Sequence, residues 1–591
     1  MQLSQWFSRR GGSMLVLSVA VGGLLALVAT IHPELPAAQD VDIAEPSPAA
    51  GNYLAGRFAH HANDWRAASD YITAALVRDP DDINLLRRAF VLKLGEGKLE
   101  AALPLARRLV VQDSDPPFAL MLLAAEDAVA GNWGAATEKV NSLPGEGPPR
   151  YAKPLLAAWT VAAQGHFAEA KQVLEPLAKI NGLTALHGLH AGLISELSGD
   201  SAEAERWYGE AMRGAGIILR VVQAAAGFQR RSGHPDQARA LYDGLRKEFP
   251  DNDMIEPELR SLERGEVGDA VASTPRDGMA EALFDLASAL HQEGSEEIAL
   301  LYTRVALYLR PAFPLAQLLV GDVLAVRDTC DEALVWYQGL NNDPGLGWTA
   351  RMRATECLLR LDRNDEALAL LEVMATEQPT RSDPLIRIGD LHRSAKRFEL
   401  AVAAYDRALT RVTTLGERHW PLFYDRAVAY DRSNRWPQAE ADLLRAMELG
   451  PDQAVLLNYI GYSWVDRNVN LPKARAMIER AVALRPRDGY IIDSLGWALY
   501  RMSDYTTAVT HLERAIELKP VDPTINDHLG DAYWAVGRYV EALFQWRRAL
   551  QYSDEQELTD SVKTKLTRQI PPRRTAAAVA RPTSPLPTGA R

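Results

Sequence analysis

Residues 493–520 read DSLGWALYRMSDYTTAVTHLERAIELKP, and residues 526–550 read NDHLGDAYWAVGRYVEALFQWRRAL. Laid over one another at an offset of 34, they superpose Gly496 on Gly530, Tyr505 on Tyr539 and Ala508 on Ala542. Each holds two stretches of helical apolar period separated by a short polar turn, the pattern of two helices folded back on each other. Working outward, the same Ala recurs at 34-residue steps as Ala68, Ala102, Ala136, Ala170, Ala204 and Ala238. A second series runs Ala299, Ala333, Ala367 and Ala401, passes through Ala439 and Ala474 at slightly longer steps, and returns to 34 at Ala508 and Ala542.

Other positions keep this phase. Twelve residues after the Ala stands Pro at Pro80, Pro250, Pro311, Pro379, Pro451, Pro486 and Pro520, where it ends a helix. Three residues before it stands an aromatic: Trp65, Trp133, Phe167, Phe398, Trp436, Tyr505 and Tyr539. Twelve before it stands Gly at Gly56, Gly321, Gly389, Gly496 and Gly530. Small residues on both helices are expected to face each other and let the pair cross closely, with the aromatic filling the gap beside the turn.

A 34-residue unit with Gly, Tyr, Ala and Pro at these offsets resembles the tetratricopeptide repeat. The resemblance covers roughly residues 49–554; the units around Ala102, Ala170 and Ala204 depart from it by lacking the terminal Pro. It implies an all-α, right-handed superhelical solenoid of about 14 helix-turn-helix repeats in two arrays, whose first helices line a concave groove. The divisions expected are a signal or anchor with spacer (1–48), a first array (49–250), a hinge (251–278), a second array with a capping helix at Glu555–Gln569 (279–570), and a disordered tail (571–591). The hinge is placed where the Ala-to-Ala step stretches from Ala238 to Ala299 over a Gly, Ser, Thr and Pro cluster.

The composition agrees with a repeat array. A chain of 591 residues, 47% hydrophobic, has ample apolar material for a core, so whole-chain disorder is excluded. A net charge of −12 repels phosphate backbones and argues against nucleic acid as a partner. At the start, Arg9 and Arg10 precede an apolar run from Met14 to Ile31, then His32, Pro33, Glu34 and Pro36. A basic segment before such a run is an export signal. The positive-inside bias sends the chain beyond Ile31 across the membrane, so the expected location is the periplasm or the periplasmic side of the inner membrane. Contact with the membrane is expected only through that segment; a retained anchor and a cleaved peptide both remain open. No Cys accompanies it, so a lipid anchor is not expected.

Catalytic and metal chemistry finds little support. Neither HExxH, GxSxG, GxxxxGK nor GxGxxG occurs, and Lys98 after Gly95 and Gly97 belongs to an inter-helix turn. His187 and His190 lie one turn apart without a nearby third ligand, and adjacent His60 and His61 face different ways. Asp466, Asn468 and Asn470 begin like a calcium loop, but Leu471 replaces its turn Gly and Met477 its final acid; an extra residue in that turn accounts for them. Cofactor and metal are therefore both expected to be none, and the protein is expected not to be an enzyme. Cys330 and Cys357 fall on neighbouring helices, and whether they pair is open.

A binding role remains. Read by phase in the last four repeats, the groove should present Asp431, Asn458, Tyr462, Asp493, Trp497, Arg501, Asp527, Asp531 and Trp534. Aromatics supply anchor area at low entropic cost and charges supply orientation, which suits other proteins or extended peptide segments. This mainly acidic set disfavours a client carboxylate and favours a basic or apolar segment. The stretches LLNYIGYSWVDRNVNLPKARAMIERAVALRP (456–486) and GYIIDSLGWALY (489–500) are similar to exported many-repeat proteins of Gram-negative bacteria, including lipoproteins that dock a carboxyl-terminal processing protease and present its substrates. The lipobox Cys of that group is missing here. The resemblance implies a non-catalytic envelope scaffold or adaptor. The alternatives are the scaffold of a polysaccharide export or outer-membrane assembly machine, and an unrecognised envelope enzyme.

Overall fold

The computed structural model describes residues 48–568 apart from 114–115, 181, 215–218 and 250–251. The apolar run Met14–Ile31, the spacer, Pro250 and the tail 571–591 lie outside the described residues. Among the described residues the regular structure is entirely helical, with thirty α-helices, one short 3-10 turn and no strand. None of these helices is long and apolar enough to cross a membrane.

The helices run in antiparallel pairs. The first six pairs are α1 (Pro48–His61) with α2 (Trp65–Arg78), α3 (Ile83–Gly95) with α4 (Leu99–Gln112), and α5 (Pro117–Ala130) with α6 (Trp133–Asn141); α7 (Pro149–Ala162) with α8 (Phe167–Ala178), α9 (Thr184–Leu197) with α10 (Ser201–Gly214), and α11 (Leu219–Arg231) with α12 (Pro235–Glu248). A lone helix, α13 (Ile255–Glu263), comes next. The following four pairs are α14 (Pro275–Gln292) with α15 (Glu296–Leu309), α16 (Pro314–Val326) with α17 (Cys330–Gly339), α18 (Gly347–Arg360) with α19 (Asn364–Glu377), and α20 (Asp383–Ser394) with α21 (Phe398–Thr410). The last four are α22 (Trp420–Arg432) with α23 (Trp436–Leu449), α24 (Ala454–Asp466) with α25 (Leu471–Leu484), α26 (Gly489–Arg501) with α27 (Tyr505–Leu518), and α28 (Pro523–Ala535) with α29 (Tyr539–Tyr552); α30 (Gln556–Leu566) closes the stack.

Every pair turns on the same device. One residue in each inter-helix turn has positive φ, five residues before the recurring Ala: Asn63, Gly97, Gly131, Gly165, Gly199 and Gly233 in the first series, then Gly294, Asp328, Asp362, Lys396, Asn434, Ser503 and Gly537. The unit ending its turn at Ala474 has two, Asn468 and Asn470, at φ 57° and 50°. Its extra residue is thus absorbed by a second left-handed step at Asn470, and the calcium-like spelling there is turn chemistry. Several turns are also capped, as where Asp82, Asp488, Asp504 and Asp522 accept the amides that open α3, α26, α27 and α28.

The helix crossings differ from the expected Gly-against-Ala contact. Gly56 and Gly192 lie against Ile72 and Tyr208, and a Cβ on either would come within 2.7 Å of those side chains. Gly321, Gly389 and Gly530 similarly sit against Tyr337, Tyr405 and Trp546. The partner is therefore the residue four places after the Ala. Glycine makes room for a large side chain one turn further along the second helix, while the Ala itself is buried.

A core bridges the first array and the start of the second. One cluster of buried apolar side chains runs from Ala59 to Leu391 and takes in Ala272 of the segment expected as a hinge, whereas Ile255 and Leu259 of that segment join a smaller cluster with α11 and α12, and most of the second array has its own from Leu371 to Val562. Within 251–278, α13 packs on α12, and Arg230 reaches across to the Glu266 carbonyl and to the Ser261 hydroxyl at 2.8 Å. Asp253 pairs with Arg381 of the second array. The pair α14–α15 then lies inside the concave face of the first array: α14 packs on α7 and α9, α15 on α3 and α5. At 18 residues α14 is longer than the other helices, and its extra N-terminal turn, capped by Thr274, brings Gly278 against the indole of Trp159.

This seating is specific as well as apolar. Trp159 Nε1 donates to His190 Nδ1 at 3.1 Å, so the His190 proton sits on Nε2, facing Asp285 of α14 at 3.2 Å. Arg220 of α11 grips Glu281, which is fully buried, with one hydrogen bond of 2.8 Å. The Arg304 guanidinium of α15 donates to the Gly95 carbonyl at 2.9 Å and lies over Trp336 at 4.9 Å. Arg327 covers Trp65 at 4.1 Å. Cys330 and Cys357 are both buried and form a disulfide, which ties α17 to α18.

Candidate functional site: the groove of the second array

The first array's groove is occupied by its own chain, and its groove-phase residues Met121, Leu122, Leu155, Trp159 and Leu189 are all buried. The same phase in the second array has a different chemistry. Polar pairs link each first helix to the next at fixed offsets. Arg353 pairs with Asp322, then Arg387 with Glu356 at 2.7 Å. At the next step the arginine position holds Asp425, so two carboxylates meet. Arg393 answers both, at 3.3 Å from Asp425 and 3.6 Å from Asp390. Burial, helped by the charge of Asp390 and opposed by Arg393, pushes the Asp425 carboxyl up to about 7.

Beyond that step the groove becomes aromatic. Tyr424 and Tyr459 meet edge to face at 5.5 Å, and the Tyr459 hydroxyl donates to Asp431 at 2.9 Å. Asp431 also pairs with Arg467. Tyr462 is half-buried, and burial together with Asp493 and Asp466 raises its phenol above the ordinary range. Three rings then stack: Trp497 lies flat on Tyr500 at 4.9 Å and on His528 at 4.0 Å, with interplanar angles of 9° and 11°. His528 is held by Asp493 at 3.0 Å. Burial opposes the imidazolium, but Asp493, Asp527 and Asp531 outweigh it and raise His528 above its usual value. Arg501 reaches the Asp466 carbonyl at 3.4 Å and flanks Trp497.

The last step is closed by α30. Lys565 Nζ stands 2.7 Å from Asp531 and 2.7 Å from Asp527, and Trp546 Nε1 donates to Asp531 at 3.1 Å. With one ammonium between two buried carboxylates, burial and the neighbouring Asp531 keep the Asp527 carboxyl above its ordinary value. Trp534 packs against Tyr539 and Trp546, with Arg568 5.9 Å from its ring.

Thus the nine residues singled out by phase all lie on the first helices α22, α24, α26 and α28, in two chemical states. Asp431, Asp493, Asp527 and Asp531 are already engaged by Arg467, His528 and Lys565. Asn458, Tyr462, Trp497, Arg501 and Trp534 are half-buried. Two buried polar atoms among them, Asn458 Oδ1 and Trp497 Nε1, have no hydrogen-bond partner. The partners Tyr500, His528 and Lys565, and the Asp390–Asp425–Arg393 group, were not singled out from the sequence. His528 and Asp425 share a phase, two before the Gly position, that a wider reading of the helix face includes.

The other sequence candidates have structural explanations. His190 is held between Trp159 and Asp285, and His187 sets its edge on Trp207 at 5.1 Å. Among the described residues no group of three His, Cys, Asp or Glu side chains is arranged to hold a metal ion.

A tetratricopeptide-repeat family model matches residues 494–557. The TPR repeat-containing protein PA4667 of Pseudomonas aeruginosa is 28% identical over 164 residues, covering 28% of this chain and 27% of that protein, so the match spans about a quarter of the relative's length. Among solved structures, the APC/C assembly Cut9–Hcn1 aligns over 88% of this chain and 97% of its own, at 15% identity and a TM-score of 0.37. Yeast Tom70 aligns over 88% and 94%, at 13% identity and a TM-score of 0.27. The family match covers residues 494–557, and the 34-residue period and the paired helices turning on a left-handed residue repeat the same unit along both arrays, a tetratricopeptide-repeat architecture.

Proposed function

We propose that this protein is a non-catalytic scaffold of the bacterial cell envelope whose second array holds an extended, basic or apolar segment of a partner protein along α22, α24, α26 and α28. The observation that carries this reading is the contrast between the two grooves. The first is apolar and filled by α14–α15; the second keeps half-buried aromatic side chains, Tyr462, Trp497 and Trp534, with no helix pair of this chain packed over them.

The envelope location rests on the Arg9–Arg10 and Met14–Ile31 segment and is supported by the Cys330–Cys357 disulfide, since such bonds persist in oxidising compartments. Presenting the bound segment to a protease is the role we favour, on the likeness of residues 456–500 to protease-adaptor repeat proteins. The test is in-cell photocrosslinking from position 497, with position 540 on the exposed side of α29 as the comparison. A defined envelope protein captured at 497 and not at 540 is the expected result. Capture that is the same at both positions, or absent at 497, refutes the groove.

A further inference from the structure

The two ends of the helix stack are finished differently. At the carboxyl-terminal end α30 lies on α29, buries Val562 and leaves Glu557, Asp560 and Lys563 exposed. At the amino-terminal end α1 packs on α2, and its other side carries Leu54 and Phe58, 64% and 78% exposed. A polar terminal face is what keeps a repeat stack soluble, and α1 lacks one.

The phase of these positions shows what kind of surface this is. Gly51 stands seventeen residues before Ala68, and Phe58 ten before it. The same two phases hold Ala316 and Val323 in α16, Ala350 and Cys357 in α18, and Leu457 and Trp464 in α24, all of them buried. Cys357 is bonded to Cys330 of the preceding second helix, so this side of a first helix faces the unit before it. On α1 it faces no described helix, and a Cβ on Gly51 would meet nothing within 4 Å. The surface is therefore shaped to receive a helix.

Its own geometry fits a second copy. Gly51 and Phe58 are seven residues apart, two turns along one stripe. An antiparallel pairing of two α1 helices, with the two-fold axis between Leu54 and Ala55, sets Phe58 of each chain over Gly51 of the other. That repeats the crossing inside the units, where Gly389 lies against Tyr405 and Gly321 against Tyr337. The stripe of Gly51, Leu54, Ala55 and Phe58 is uncharged, so two copies meet without like-charge repulsion at its centre. Growth of copies head to tail is blocked, because the opposite end is covered by α30.

We propose that two copies of this protein join through α1 into a closed two-fold dimer, whatever the second array's groove holds. A single pair of 14-residue helices covers less than the ~800 Å² per partner of a standard interface, so the dimer forms in step with chain concentration.

The test uses the full chain. A photoreactive phenylalanine at position 58, in a mixture of two isotopically distinct copies, should give products joining residues 48–61 of one copy to residues 48–61 of the other. Leu54→Asp sets two carboxylates beside the axis and should lower the yield about tenfold or more. Leu54 is exposed, so the helical signal and thermal midpoint of that variant should match those of the native chain. Position 111, 84% exposed on α4, should give no product between copies. Crosslinks from 58 into residues 1–47 of the same copy, capture of a different protein at 58, products between copies that map outside α1 or appear equally from position 111, or a yield unchanged by Leu54→Asp each overturn the proposal.

Discussion

Replacing Gly278 by Ala tests how tightly α14 is seated in the first array. The three atoms nearest a Cβ at this position all belong to the indole of Trp159, which is fully buried. That ring cannot swing aside freely, because its Nε1 holds His190 at 3.1 Å and His190 in turn holds Asp285. Overpacking of this kind costs about 1–3 kcal/mol, and a weakened buried hydrogen bond adds about 0.5–1.5 kcal/mol. Ala gains back roughly 0.5–1 kcal/mol over Gly in a helix interior. The net loss is about 2 kcal/mol, or roughly a thirtyfold rise in the opening equilibrium. Hydrogen exchange should show it as faster exchange across α7, α9 and α14, with α26 and α28 unchanged. Gly244→Ala, on an exposed face of α12 with nothing near its Cβ, should be neutral or slightly stabilising. If α7 and α14 exchange in Gly278→Ala as slowly as in the native chain, the account of this seating is wrong.

Three further outcomes are dictated by the geometry. Removing the disulfide by Cys330→Ala/Cys357→Ala frees a loop spanning 27 positions and should cost about 3.5 kcal/mol on chain-entropy grounds, read as a lower denaturation midpoint; alkylation of both cysteines in the unfolded, unreduced protein refutes the pairing. Lys565→Met leaves Asp527 and Asp531 without their cation and should cost about 3 kcal/mol, releasing α30 in hydrogen exchange; adding Asp527→Asn and Asp531→Asn should restore most of it, and an α30 that stays protected in Lys565→Met contradicts the contact. The Asp425 carboxyl is raised in the folded state, so the native protein holds this proton more tightly than the unfolded chain. Stability from this group is greatest below pH 4 and falls as pH climbs to about 7. Asp425→Asn should flatten that part of the thermal-midpoint profile, and an unchanged profile refutes the assignment.

Repeat number, phase and turn positions were legible because each depends on local spacing. A left-handed residue five places before an Ala, or a Gly under an aromatic one turn beyond it, is dictated within a single unit of 34 residues. What the period conceals is how distant units meet. Nothing in the spacing announced that α14–α15 would fill the first groove, although the signal was present: Met121, Leu122, Leu155 and Leu189 are apolar where the second array has residues such as Asn458, Asp493, Asp527 and His528. The facing direction of the nine groove residues came from helix phase, but four of their carboxylates are answered by side chains from the next repeat or from α30. Those answers needed three-dimensional stacking. The Gly-to-Ala contact was misread because both residues are small, whereas the cross-helix neighbour of the Gly lies one turn further on.

The seating of α14–α15 also sets an order of events during biogenesis. The carbonyl of Gly95 waits for Arg304, a partner 209 positions later in the chain. At roughly 5–20 residues per second, that is about ten to forty seconds during which the leading repeats have no lining for their inner wall. Ordinary solenoids grow by neighbour adding to neighbour. This one must keep its leading third unfinished, or sheltered by another protein, until a much later hairpin arrives, so its assembly is paced by delivery of the chain instead of by the speed of helix formation.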